Sequence, residues 1–393
     1  MKKYGWKVLA GLATLAMAST SPAQTTNTLR ITGSSAYRAA THNAILAMLD
    51  PAERVYGFTG SSLSSASRAQ FTGRLAADTN VICNIQTVFS GSVDGVIRLV
   101  YRGSNTFDRT DWPVGTNLTA GGTASISFLS ETAPSDVAMS DAYQNSTKYT
   151  SPTLVDNIVG VIPFIWVRNS DATNAIANMT PLLAQQVLAA GSVPLSFFTG
   201  NAADTTKVRS VGRNADSGTR VTTFAETGFG IFTPPSQWQV LLNGSSVTNV
   251  VPYPAETVLG ESFATGQSGY GSGGTIVTAF NATGSNAAPV PSTRRGWLIS
   301  ALGVSDANNV NSGNNKLTWN GVAYSQDAVR NGQYTFWSYE HLFYGSYVSG
   351  NATLKTIADQ LVSTLLSTDP GTAAVQLSTM KVTRGQEGAP VSP

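Results

Sequence analysis

Apolar positions along this chain follow two periods in alternation. Leu29 to Thr32 (LRIT) has strand character and runs into Gly33-Ser34-Ser35. The next stretch, AYRAATHNAILAML, places Ala40, Ala44, Ile45 and Met48 at helical spacing. Val81 to Phe89 predicts a second strand, followed by Ser90-Gly91-Ser92. Ile158 to Val167 (IVGVIPFIWV) is a continuous apolar run of strand length, rich in β-branched and aromatic residues, as a buried strand requires. Pro181 to Ala190 predicts a helix with Thr180 as N-cap and Pro181 in its first turn. Val208 to Val211 and Trp297 to Leu302 predict further strands, and Leu354 to Leu366 an amphipathic helix. Such alternation predicts an α/β architecture with largely parallel sheets. Gly266 to Gly284 and Asn308 to Asn315 read as loops, and the Gly/Pro-rich tail from Gly385 to Pro393 as loose.

Composition narrows the class. Of 393 residues, 41% are hydrophobic and 12% charged, against roughly 25% charged in an ordinary soluble domain. A disordered chain would carry more charge and fewer apolar residues, and a nucleic-acid binder would show a basic excess. The single cysteine, Cys83, excludes an intramolecular disulfide and a cysteine-based zinc cluster.

The N-terminus has the three parts of a secretory signal. Lys2, Lys3 and Lys7 precede the eleven-residue apolar stretch Val8 to Ala18, and Ser21-Pro22-Ala23 offers small residues for cleavage. The apolar stretch is shorter than the roughly 20 residues a membrane anchor needs. An exported protein, periplasmic or secreted after cleavage near Ala23, is expected. Removal of residues 1–23 takes three lysines and no acids, leaving 21 basic against 22 acidic residues. Any anion site in the remaining chain is therefore local, because the bulk field is close to neutral.

Three turns share one chemistry. Gly33-Ser34-Ser35, Ser90-Gly91-Ser92 and Ser217-Gly218-Thr219 each lead into a helix-like segment. A helix N-terminus presents unpaired N–H groups at the positive end of its dipole, and Ser or Thr adds a hydroxyl donor. Taken singly, such a turn is an ordinary N-cap. Three of them, with Arg213 four residues before Ser217, suggest an oxyanion site, since a guanidinium grips an oxyanion through paired donors. Asp141, with Asp136 upstream, suits a ligand that brings a proton and disfavours one that has none. The alternatives for Asp141 are a helix cap or an ion pair with Arg213.

In order along the chain, these segments resemble the phosphate-binding periplasmic proteins of ABC-type phosphate transporters. The resemblance rests on Ile31 to Ala36, on Phe89 to Val96, on Val137 to Ala142 ending in Ser140-Asp141, and on Arg213-Asn214-Ala215-Asp216-Ser217-Gly218-Thr219. The last, an Arg-x-x-x-Ser-Gly-Thr signature, is the most specific. The resemblance implies a two-lobe type II periplasmic binding protein fold with the ligand cleft between lobes. Lobe one would be about 25–163 with 338–393, and lobe two about 164–337. It implies phosphate or a related oxyanion as ligand, a membrane ABC permease as partner, a monomer, and no cofactor, metal or nucleic acid. Ser34, Ser35, Ser92, Asp141, Arg213, Ser217, Gly218 and Thr219 would bind the ligand, with Asp141 accepting the phosphate proton and Asp216 orienting Arg213. The chain departs from the pattern at Tyr37-Arg38, where the family has Thr-Phe, and at Asp94, which replaces a small residue.

Two other classes compete. A phosphatase would need clustered histidines and acids or a Gly-x-Ser-x-Gly elbow. His42 and His341 are far apart in sequence, with a surface or packing role expected for the first and a core or hinge role for the second, and no elbow is present. Gly269 to Gly274 matches G-x-G-x-x-G without a preceding strand and reads as composition. An exported surface or structural protein with the same fold and no transport role is the second alternative. The aromatic run Tyr334, Phe336, Trp337, Tyr339, Phe343 and Tyr344 reads as core rather than as a sugar platform.

Overall fold

The computed structural model describes residues 26–103, 110–311 and 314–393. The export-signal segment and its cleavage position lie outside the described residues. The fold is mixed α/β, built on one ten-stranded sheet. Its strands in chain order are β1 (Thr26–Gly33), β2 (Val55–Phe58), β3 (Arg68–Arg74), β4 (Ile82–Val88), β5 (Val137–Ser140), β6 (Val155–Arg168), β7 (Ser192–Pro194), β8 (Lys207–Ser210), β9 (Trp297–Gly303) and β10 (Trp337–Tyr344). Across the sheet the order is β7-β8-β9-β6-β10-β5-β1-β4-β3-β2. The principal helices are α1 (Arg38–Met48), α2 (Ser92–Val100), α3 (Pro181–Ala190), α4 (Gly218–Glu226), α5 (Gly273–Asn281) and α6 (Ala352–Ser367).

The sheet is mixed rather than largely parallel. β1 runs parallel to β4 and β5, and β8 parallel to β9. The remaining pairs are antiparallel. The reason is connection length. A parallel crossover takes a dozen or more residues, whereas residues 75–81 alone join β3 to β4, so that pair must be antiparallel. Small ribbons, Trp238–Asn243 with Ser246–Pro252 and Glu256–Val258 with Glu261–Phe263, lie outside the main sheet.

β6 changes partner midway. Its residues Val155 to Pro163 pair with β10, and Phe164 to Arg168 pair with β9. Val159, Val161, Ile162, Phe164, Ile165, Trp166 and Val167 are all buried, which explains the unbroken apolar run. β10 is buried along its whole length. Its aromatic neighbourhood is core, with Phe336 stacked on Trp319 at a ring distance of 4.9 Å.

Local signals set several boundaries. The Thr180 hydroxyl accepts from Leu183 N at 3.3 Å, Pro181 occupies the first turn, and Gly191 ends α3 in the left-handed region. The Asn351 side chain caps α6 in the same way, accepting from Leu354 N at 3.1 Å.

Two loop expectations are corrected. Within Gly266 to Gly284 lies α5, capped by the Ser272 hydroxyl on Thr275 N and anchored by buried Ile276, Val277, Ala279 and Phe280. Four apolar side chains on one face outweigh the glycines. The tail from Gly385, although largely exposed, is tethered rather than loose. The Glu387 carboxylate accepts from Tyr143 N at 2.5 Å and from the Ser146 hydroxyl at 2.6 Å. Buried Arg384 pairs with buried Glu226. No described helix is long and apolar enough to cross a membrane.

Candidate functional site

Ligands of open α/β sheets collect beyond the carboxyl ends of parallel strands. Here those ends carry the turns singled out above. β1 ends in Gly33-Ser34-Ser35, β4 leads into Ser90-Gly91-Ser92, and β5 leads into Asp141. The turns are tied together by backbone. Gly33 O accepts from Ser90 N at 3.2 Å and from Gly91 N at 2.9 Å, and Ser34 N donates to Met139 O at 2.7 Å. From the other half of the sheet, β8 leads into Arg213 and β9 into the helical turn Val304–Ala307, which carries Asp306.

The 213–219 turn docks directly onto the first group. Val93 N, in the first turn of α2, donates to Asp216 O at 3.0 Å. Gly91, at φ +147°, meets the same carbonyl, so any side chain there would collide with backbone. The Ser92 hydroxyl hydrogen-bonds Asp141 Oδ1. Gly218, the first residue of α4, packs on this pair. A β-carbon built there would overlap the Asp141 carboxylate and lie 2.6 Å from Ser92 Oγ. One turn into α4, the Thr222 hydroxyl donates to Asp141 O at 3.1 Å. Ser217 caps α4, its hydroxyl accepting from Arg220 N at 3.4 Å.

Arg213 is the electrostatic centre. Its Nε donates to Tyr270 O at 3.1 Å and its Nη2 to Gly271 O at 2.9 Å. Asp216 Oδ1 lies 3.9 Å from Nη2. Burial pushes the Asp141 carboxyl up to about 6, opposed by the Ser92 hydrogen bond and the Arg213 charge. Burial likewise lifts Asp216 to about 7 and raises Asp306, each opposed by Arg213. Arg38 is held down by burial and by the Arg213 charge, and supported by Asp306. Ser35, Arg38, Arg213, Thr219 and Asp306 line one cavity of about 40 Å³, with room for a few waters.

The predicted residues therefore fall into three groups. Ser92, Asp141 and Gly218 are in mutual contact, while Ser35, Arg213 and Thr219 share the small cavity. Ser217 is used as a helix cap, and Ser34 faces elsewhere, toward the Glu340 carboxyl. Asp94 turns to Arg98 Nε at 2.7 Å and to the Ser90 hydroxyl. Asp136 holds Arg30 N and Arg102 rather than the site. His42 is buried between Leu63 O and the Thr87 hydroxyl, 2.9 Å from each. His341 pairs with Asp156 at 2.7 Å. No group of three or more potential metal ligands occurs among the described residues.

Several site residues escaped the sequence reading. Glu340 is wholly buried, and neither carboxyl oxygen has a hydrogen-bond partner in good geometry. Burial, with the nearby Asp141, raises its carboxyl well above the usual range. An acidic residue inside the aromatic strand WSYEHLFY was the available signal. Asp306 and the carbonyls of Tyr270 and Gly271 gave none. The G-x-G-x-x-G stretch containing those carbonyls proves to be the clamp that holds Arg213.

No family model matches the chain, and no curated protein matches it. Solved structures do resemble it. The chain is similar to phosphate-binding transport receptors. An ABC-type phosphate transport receptor from Vibrio cholerae is 13% identical over 89% of this chain and 100% of that one, at a TM-score of 0.48. PstS from Borrelia burgdorferi is 12% identical over 85% and 92%, at 0.39. A phosphate-binding protein from Stenotrophomonas maltophilia is 14% identical over 87% and 83%, at 0.39. At such identities the ligand has to be argued from this chain's own residues.

Proposed function

We propose that this chain is an exported receptor that captures phosphate or a related oxyanion between two lobes, residues 25–163 with 338–393 and residues 164–337, and delivers it to a membrane ABC permease. The observation that carries the reading is the docking of the 213–219 turn, from one side of the β6 partner change, onto the strand-end turns of the other side, with Ser35, Arg213 and Thr219 around one cavity. Ser35, Ser92, Arg213 and Thr219 supply donors, and Ser217, Gly218 and the start of α4 supply the closing turn. Charge-assisted hydrogen bonds contribute about 1.5–3 kcal/mol each. Several together give micromolar affinity, about −8 kcal/mol, once association costs are met.

Asp141 adds the selectivity. Beside an oxyanion a carboxylate accepts a proton that phosphate carries and repels a ligand with none, such as sulfate. Hinge closure about β6 and β10 would bury the ligand. The reading is of a receptor and not a phosphatase: His42 and His341 are both engaged away from Arg213, so no imidazole is placed to activate a nucleophile there.

Calorimetric titration with phosphate at neutral pH, with sulfate as control, tests the proposal. Micromolar phosphate binding that Arg213→Ala abolishes is expected. Equal binding by the wild type and Arg213→Ala would overturn it.

A further inference from the structure

The cavity beside Arg213 has a second guanidinium in its wall. Arg38, the first residue of α1, lines it with Ser35 from the β1 side of the sheet. Arg213, Thr219 and Asp306 line it from the side of β8 and β9. The two arginines therefore reach one space of about 40 Å³ from opposite sides of the β6 partner change. A space that holds a few waters also suits the oxygens of one small tetrahedral oxyanion.

Arg38 is positioned by its neighbours and not by its own head group. The Tyr37 hydroxyl donates to Val159 O at 3.2 Å, and a β-carbon at Gly160 would collide with the same phenol. Tyr37 thus pins the start of α1 against β6. On the far side, the Ala36 methyl lies 3.8 Å from where a β-carbon on Gly303 would stand, at the end of β9. The start of α1 and the Gly303–Asp306 turn consequently face each other across the cavity. The buried arginines elsewhere are occupied: Arg168, Arg209, Arg220 and Arg384 each donate to backbone carbonyls. Among the described residues the half-buried Arg38 guanidinium has no hydrogen-bond or ion-pair partner.

Charge makes this arrangement costly while the cavity is empty. Burial and the Arg213 charge both disfavour charged Arg38, and Asp306 offsets them. Asp306 also serves another element. A β-carbon at Gly273, the first residue of α5, would overlap its carboxylate, which places that charge at the positive end of the helix. With all three groups ionised, one positive charge remains in excess around the cavity. Like charges facing one another cost free energy. An anion between them converts the cost into attraction, because each guanidinium offers it paired donors.

We propose that Arg38 is a second cationic contact of the oxyanion, meeting it from the side opposite Arg213, so that the ligand is a small tetrahedral oxyanion bridged between two guanidiniums. The inference rests on the oxyanion reading above and adds to it a binding residue. Arg38 and Arg213 approach from the two halves of the sheet, so a bridged anion ties those halves together.

Calorimetry with inorganic phosphate on the wild type, Arg38→Met, Arg38→Lys and Arg213→Ala tests the inference, with a urea midpoint for each protein without ligand. Arg38→Met is expected to weaken phosphate binding at least tenfold, and Arg38→Lys to retain part of the affinity because it keeps the charge. The ligand-free midpoint of Arg38→Met should not fall, since the guanidinium has no partner to lose and its repulsion with Arg213 is gone. Wild-type affinity in Arg38→Met, with binding still abolished in Arg213→Ala, would overturn this inference alone. Equal losses in Arg38→Met and Arg38→Lys together with lower midpoints would make Arg38 a packing residue and overturn it as well. No phosphate binding by the wild type, or equal binding by Arg213→Ala, would overturn the oxyanion reading and this inference with it.

Discussion

Gly218 sits face to face with Asp141, close enough that the carboxylate occupies the volume a β-carbon on residue 218 would need. The contact joins the start of α4 to the end of β5, and Ser92 and Thr222 complete it from either side. Gly218→Ala should therefore separate the two segments rather than be absorbed locally. Overpacking of this kind costs about 1–3 kcal/mol. The expected outcome is a lower urea midpoint together with at least a tenfold loss of phosphate affinity. Unchanged affinity in Gly218→Ala would mean that the two segments do not close on the ligand in this way.

Asp141→Asn should change selectivity more than affinity. The amide keeps the shape of the carboxyl but offers a donor in place of a charge. Contact between like charges costs several kcal/mol, so removing the charge should admit sulfate. Sulfate binding is expected to rise by at least tenfold, about 1.4 kcal/mol, read by calorimetry at neutral pH. No gain in sulfate binding would remove Asp141 from the selectivity argument.

The pair Arg384–Glu226 fastens the C-terminal tail to α4. Both side chains are almost fully buried, and Glu226 also accepts from Gly388 N at 2.7 Å. Arg384 further donates to Trp337 O at 2.9 Å and to Thr335 O at 2.7 Å. Removing one member of a buried pair strands the other, at a cost of about 3–5 kcal/mol. Arg384→Met should show that loss in urea denaturation. Adding Glu226→Leu should recover part of it, because the stranded charge is then gone. A double variant no more stable than Arg384→Met would show that the carbonyl contacts, and not the ion pair, carry the tail.

Much of this architecture was legible where the deciding contacts are local. Thr180, Pro181 and Gly191 mark both ends of α3, and the apolar run of β6 announces a strand covered on both faces. The turn 213–219 is recognisable by its own residues. Features fixed by distant partners were not legible. Helix α5 depends on Phe280 and Ile276 entering a core built with β9 and the 238–252 ribbon, which its glycine-rich sequence does not advertise. The tail looked loose because Glu387 binds Tyr143 and Ser146, more than 240 residues earlier. At the site, the Asp141 carboxyl takes its hydrogen bond from Ser92, 49 residues away. Glu340 was masked by its aromatic neighbours, although its burial near Asp141 is what places it in the site's electrostatics.

Those electrostatics fix how stability follows pH. Asp141 titrates at about 6 in the folded chain, and Asp216 and Glu226 at about 7, against ordinary values of 3.8, 3.8 and 4.5. Burial and the nearby Asp141 raise the Glu340 carboxyl as well. As pH climbs from about 4 to about 7, the folded protein keeps protons that the unfolded chain has already released, so these groups make stability fall with rising pH. His42 acts in the opposite sense. Burial holds it at about 4 against 6.5, so its contribution grows as pH rises through that window. Four carboxyl groups outweigh one imidazole, since a tenfold change in proton affinity is worth about 1.4 kcal/mol in each. The urea midpoint without ligand should thus be higher at pH 5 than at pH 7.5, and Asp141→Asn should narrow the difference. A midpoint that rises over this range would show that the buried carboxyls are ionised in the folded state, with Arg213 and Arg384 holding them so.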